Sequence, residues 1–136
     1  MTFRTTSVMT MFVLLGLTVS PAMAGMTRTY EKTTLAGQEI FLFGGSTLNP
    51  DCSKAGKDDL RATSGPSHGR LRIVYGKTYS HYSKKDQRSS CNSRKVDGIK
   101  VLYRSNPGFK GWDKVTLAVH TYFGRASNAV INIKVE

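Results

Sequence analysis

The chain is poor in the residues from which most catalytic and metal sites are built. Its 136 residues include two cysteines, three histidines, one tryptophan and four prolines, and nine Asp plus Glu stand against twenty Lys plus Arg. No Cys-x-x-Cys occurs, which excludes a redox dithiol of that type. His68, His81 and His120 show no His-x-His or His-x-x-x-His spacing. A metal centre needs three or four converging ligands, so no metal or cofactor is expected. Asp58 and Asp59 are adjacent in a polar stretch, without an apolar frame to raise a carboxyl pKa, so no acid–base pair is visible. Ser64, Ser67 and Ser90 lie in no nucleophile motif. Amphipathic helical periodicity, internal repeats and linkers are also missing. The chain is not expected to be an enzyme.

Long apolar runs are equally scarce, and the one present is at the start. Arg4 precedes an apolar stretch over residues 8–19, then Pro21 and Ala22-Met23-Ala24-Gly25. Small residues at Ala22 and Ala24 suit a signal peptidase, so residues 1–24 read as a signal peptide cleaved before Gly25. The run is shorter than the roughly 20 residues that span a bilayer, and no second one follows, so no transmembrane anchor is expected. Residues 25–136 have the length of a single domain. An exported chain meets an oxidising compartment, periplasmic or extracellular, where Cys52 and Cys91 are expected to pair.

What the sequence has in excess is positive charge, +11 overall, with only Arg4 in the leader. Such a balance favours polyanions through long-range attraction. In a cell envelope the candidates are lipopolysaccharide, an anionic glycan or an acidic protein. The export signal argues against nucleic acid. The plainer alternative is that the charge keeps a small protein soluble.

The remaining pattern is β. Short alternating stretches recur between turn signals, at residues 29–34, 39–43, 60–63, 70–75, 78–82, 99–103, 115–123 and 129–135. In residues 39–43, Ile40 and Leu42 share one face and Phe41 and Phe43 the other, which points to a strand well inside the domain or near a packed end. Leu71, Ile73 and Tyr75 alternate with Arg70, Arg72 and Val74, giving a core face and a basic face. Gly76-Lys77 reads as a turn, and residues 44–59 and 83–95 as two polar loops that a Cys52–Cys91 bond would staple together. Lys54, Lys57, Asp58 and Asp59 read as solvated surface. About seven strands with regular turn signals argue an all-β, two-sheet antiparallel sandwich.

Residues 105–115 form a structured corner between two of these strands. Pro107, Gly108, Phe109, Gly111, Trp112 and Asp113 lie in it. Asp113 is placed to accept backbone N–H bonds and lock the corner. Phe109 and Trp112 are expected to pack, with partner contact the alternative for Trp112 if it is exposed. His68 reads as a turn residue and His120 as a sheet-face residue. The candidate ligand surface is basic. Arg70 and Arg72 share one strand face, Lys84, Lys85, Arg88, Arg94 and Lys95 crowd one loop, and Tyr79, His81 and Tyr82 lie beside them. Arginine and lysine with aromatics can hold phosphates or acidic sugars.

Pro66-Ser67-His68-Gly69, Tyr103, Gly108-Phe109-Lys110-Gly111-Trp112-Asp113, Gly124 and residues 131–135 together resemble the immunoglobulin-like, cadherin-like domains of exported bacterial proteins. The resemblance covers residues 66–135 and implies an immunoglobulin-like sandwich. It departs in four ways: this is a single copy, it is basic where such modules tend to be acidic, Lys114-Val115 stands where an aromatic is usual, and the Cys-bearing insertion over residues 83–95 lengthens the connection before Ile99. Tandem adhesion and calcium-dependent rigidity are therefore not carried over. The expected function is a non-catalytic exported binding module using the basic surface for an anionic envelope component or glycan. The alternative is a protein-partner module for adhesion, assembly or inhibition.

Overall fold

The computed structural model describes residues 25–136. The expected signal peptide, residues 1–24, lies outside the described residues. The described chain forms β1 (Met26–Thr34), β2 (Glu39–Gly45), β3 (Asp59–Ser64), β4 (Gly69–Tyr79), β5 (Lys95–Ser105), β6 (Gly111–His120) and β7 (Ala126–Val135). One 3-10 turn, Ser89–Ser93, interrupts the loop before β5. Four strands make one sheet in the order β1-β7-β6-β3, and three make the other in the order β2-β5-β4. The protein is an all-β, seven-stranded, two-sheet sandwich with one disulfide, Cys52–Cys91. No helix among the described residues is long and apolar enough to cross a membrane.

Alternation builds the core. Ile99, Val101 and Tyr103 of β5 face Val115 and Leu117 of β6 and Ala129, Ile131, Ile133 and Val135 of β7, all buried. Each of these strands puts every second residue inward, and Leu42 of β2 and Leu60 of β3 complete the interior.

Four details differ from expectation. β1 pairs with β7 in parallel, so the sandwich is not antiparallel throughout. The reason is the turn after Thr34, which carries the chain from one sheet to the other instead of closing a hairpin. Its Gly37 has φ of 77° and donates its N–H to Ser105 Oγ in the opposite sheet. β2 is an edge strand, not an interior one. Its apolar residues on both faces come from a bulge: Phe41 pairs with Leu102 and Phe43 with Val101, leaving Leu42 as the extra residue. The bulge turns Leu42 and Phe43 both toward the core. β4 runs unbroken through Gly76-Lys77, where Gly76 pairs with Gly98 and Lys77 with Asp97, so the expected turn and separate short strand do not exist. β6 begins at Gly111, so Trp112 belongs to a strand, and at 61% exposure it is not a packing anchor.

Asp113 sits at the point where the two sheets meet. Its carboxylate accepts the N–H groups of Ser67 (2.9 Å), His68 (3.0 Å) and Lys114 (2.9 Å), and the hydroxyl of Tyr103 (2.8 Å). Tyr103 belongs to the three-stranded sheet and Asp113 to the four-stranded one, so this bond crosses the sandwich. Beside it His68 stacks on Phe109 with ring centroids 4.1 Å apart. Burial pushes the Asp113 pKa up, but the hydrogen bonds from Ser67, Tyr103, Lys114 and His68 outweigh it and hold the carboxyl below its ordinary value.

Asp113→Ala removes the acceptor of three backbone N–H groups, those of Ser67, His68 and Lys114, and of a buried phenol. It is expected to cost about 3 kcal/mol or more, and Tyr103→Phe about 1–2 kcal/mol, in urea unfolding at pH 7. The folded carboxyl titrates below the unfolded one, so this stability is complete above about pH 4 and drains as the pH falls through the folded value. The gap between wild type and Asp113→Ala should therefore narrow at pH 3.

Candidate anion-binding face

The basic residues occupy two regions. Arg70 pairs with Arg104 at one end of the β4–β5 ladder, and Tyr79 pairs with Lys95 at the other. Nine residues of extended chain separate them, roughly 30 Å at about 3.3 Å per residue. Because β4 does not turn at Gly76-Lys77, the strand arginines and the loop lysines stay apart.

At the loop end a second, smaller core forms. Leu48, Cys91 and Val96 are buried together, with Cys52 and Tyr82 packed against them. Val96 and Ile99 fall on opposite faces of β5, so this cluster lies on the far side of the sheet from the main core. The disulfide joins the two polar loops here, with Cα atoms 5.5 Å apart. Leu48, in a stretch expected to be polar loop, supplies an apolar anchor at 1% exposure. Tyr82 is structural: its hydroxyl donates to Ser46 O (3.0 Å) and accepts from Leu48 N–H (2.9 Å). Arg88 is structural as well. It lies over the Tyr82 ring at 4.4 Å and makes a 2.7 Å ion pair with Asp86. The Arg88 side-chain and backbone hydrogen bonds hold the Asp86 pKa down, to about 2. These two residues therefore support the loop instead of presenting charge. Lys84, Lys85, Arg94, Lys95, Tyr79 and His81 remain exposed.

At the other end, register assembles a face that single-strand alternation does not reveal. Glu39, Arg104 and Arg70 stand in one row across the three strands, and Phe41, Leu102 and Arg72 in the next. All point away from the core, because their neighbours Ile40, Tyr103 and Leu71 pack inward. The arginines are exposed and rim a shallow concavity of about 260 Å³ with Glu39. Arg72 meets Glu39 at 2.8 Å, while Arg70 and Arg104 have no acidic partner among the described residues. Arg104 was not among the expected site residues. Its position in β5, on the parity opposite Ile99, Val101 and Tyr103, marked it as outward; only the β4–β5 register puts it beside Arg70.

A larger cavity, about 500 Å³, opens at the end of the sandwich between Phe43, Leu60, Val119 and Phe123. Its acids are already engaged. Asp58, expected to be solvated surface, is buried and accepts from Thr47 N–H (2.8 Å), the Thr47 hydroxyl and Tyr122 N–H (2.9 Å). Asp86 belongs to Arg88. Among the described residues no group of three or more His, Cys, Asp or Glu is placed to hold a metal ion.

Replacing both cysteines, Cys52→Ser with Cys91→Ser, is expected to lower stability by at most about 4 kcal/mol for a 39-residue separation. Arg88→Ala should loosen the same loop, read as faster amide exchange over residues 83–95. Amides of β6 and β7 should keep their protection, because the main core is untouched.

No family model matches the chain, and no curated protein does. Among solved structures, amebosin matches with a TM-score of 0.40 and 13% identity over 82% of this chain and 98% of its own. A 2,6-sialyltransferase of the Vibrionaceae bacterium Photobacterium sp. JT-ISH-224 matches with a TM-score of 0.36 and 9% identity, over 84% of this chain and 18% of its own.

Proposed function

We propose that the chain is an exported, non-catalytic binding module, periplasmic or secreted, that holds an anionic envelope component through the outer face of its three-stranded sheet. One observation carries the proposal: three guanidinium groups, Arg70, Arg72 and Arg104, converge on one exposed face that holds a single carboxylate, Glu39. Guanidinium forks bind carboxylate, sulfate and phosphate oxygens bidentately, which a lysine-rich surface does not. The Cys52–Cys91 bond supports export, since such bonds persist in oxidising compartments. The sandwich supports the immunoglobulin-like assignment. Its β3-β6-β7 and β2-β5-β4 neighbours correspond to the C-F-G and B-E-D strands of that fold, with β1 placed beside the last strand. The exposed loop cations, Lys84, Lys85, Arg94 and Lys95, supply long-range attraction for the same class of ligand.

A protein-partner role is favoured by a different observation, the exposed indole of Trp112 beside Lys134 on β7. Aromatic side chains anchor interfaces, and Trp112 has no packing duty that explains it.

Binding to an anionic matrix separates these. Retention of residues 25–136 on a sulfated or phosphorylated resin should fall steeply between 0.05 and 0.5 M salt, about the range where the Debye length drops below 10 Å. Arg70→Ala with Arg104→Ala should elute at clearly lower salt, and Trp112→Ala at the wild-type position. Retention that ignores both salt and the arginine pair would overturn the proposal.

A further inference from the structure

The same sheet face carries more than charge. Phe41, 38% exposed, stands level with Leu102 and Arg72, in the row between that of Arg70 and Arg104 and that of Lys100. Its ring folds along the strand over Gly44. A methyl group added there would meet the Ile99 carbonyl oxygen first and stand 3.0 Å from Phe41 Cε2, so the glycine admits the close β5 backbone and also leaves the ring room against the sheet. In the following row Lys100 pairs with both Gly44 and Val74. The outer face therefore reads, from one end, as Arg70 with Arg104 and Glu39, then Arg72 with Leu102 and Phe41, then Lys100, with Glu39 engaged by Arg72.

This spacing is that of an extended ligand. Outward residues two apart on one strand stand about 7 Å from each other, so the cations from Arg104 to Lys100 cover about 14 Å along β5. A single phosphate or sulfate can bridge the adjacent Arg70 and Arg104 but does not also reach Lys100, two rows further along the sheet. A chain with an anionic group every several ångströms engages them in succession. The aromatic ring between the cations adds a flat apolar surface of the kind that packs against the C–H face of a pyranose. Charge complementarity sets the sign: Arg70, Arg104 and Lys100 have no acidic partner among the described residues.

We infer that this face binds an acidic polysaccharide, lying along β4 and β5, with one sugar ring stacked on Phe41 and its carboxylate or sulfate groups on Arg70, Arg104 and Lys100. The inference rests on the anion-binding function proposed above and names its ligand class.

The test is titration of residues 25–136 with polygalacturonate, dextran sulfate, inorganic polyphosphate and oligo-dT at constant ionic strength. Each variant is first checked for an unchanged melting temperature. Both polysaccharides are expected to bind. Phe41→Ala should weaken them about tenfold, as loss of an aromatic contact does, and leave polyphosphate within about twofold, because polyphosphate has no ring to stack. Phe41→Tyr should restore polysaccharide binding, which excludes a folding defect. Arg70→Ala with Arg104→Ala should weaken all the polyanions. If Phe41→Ala leaves polysaccharide binding intact, the sugar-stacking inference falls while anion binding stands. If the arginine pair changes nothing, the anion-binding function falls with it. Tighter binding of oligo-dT than of either polysaccharide, with the same dependence on Phe41, would overturn the glycan assignment in favour of nucleic acid.

Discussion

A single buried carboxylate holds the two sheets in register. Asp113 takes a hydroxyl from the opposite sheet and two backbone N–H groups from the turn that crosses between sheets. Hydrogen bonds to a charged acceptor are the stronger kind, and each would be costly to leave unmade in a buried setting. Ser67 and His68 stand immediately before β4, and Arg70 is its second residue. Fixing those two amides therefore fixes where β4 starts, which row Arg70 occupies, and which residue of β5 it faces. The basic face inherits its geometry from an interaction that touches no ligand. That separation lets the arginines vary in exposure and chemistry without disturbing the sandwich.

Support at the other end of β4 is of a different kind. The loop cations do not hold themselves in place; Leu48, Val96, Tyr82 and the disulfide do. Arg88 shows how charge can be drawn into support. Stacked on Tyr82 and paired with Asp86, it closes the loop, and its neighbours Lys84 and Lys85 stay in water. Exposed lysines on such a platform attract a polyanion from a distance but select poorly. In the proposed function, short-range selection would belong to the arginines, which sit on a regular sheet where spacing is set by the backbone.

Much of the architecture was legible in the chain. The alternation of Ile99, Val101 and Tyr103, and of Ala129, Ile131, Ile133 and Val135, identified inward faces because burial on one side imposes a period of two. The role of Asp113 followed from its place after Gly111. What was hidden depends on contacts distant in sequence. The Leu42 bulge looks like a doubly apolar strand until the partner's register is known. Gly76-Lys77 looks like a turn because glycine permits one, yet pairing with Gly98 and Asp97 keeps the chain extended. Asp58 sits among charged residues, and only the approach of Tyr122 and Thr47 buries it. For the site, Arg70 and Arg72 were visible as a pair, while Arg104 needed a neighbour strand to become their companion. Proximity in sequence grouped the loop cations with them; an unbroken β4 keeps them apart.

β4 is an edge strand, and one row of its peptide groups faces water. Open edges invite pairing with another copy, more so here because Ile73 and Tyr75, expected on the core face, are exposed beyond the end of the core that Leu71 reaches. Arg70, Arg72 and Lys77 along that strand set like charge against like charge whenever two such edges approach. In the proposed function, a polyanion seated on the arginines would cancel this repulsion and gather several copies on one polymer. On that reading, the cations that set two free edges against each other are the ones a bound ligand would neutralise.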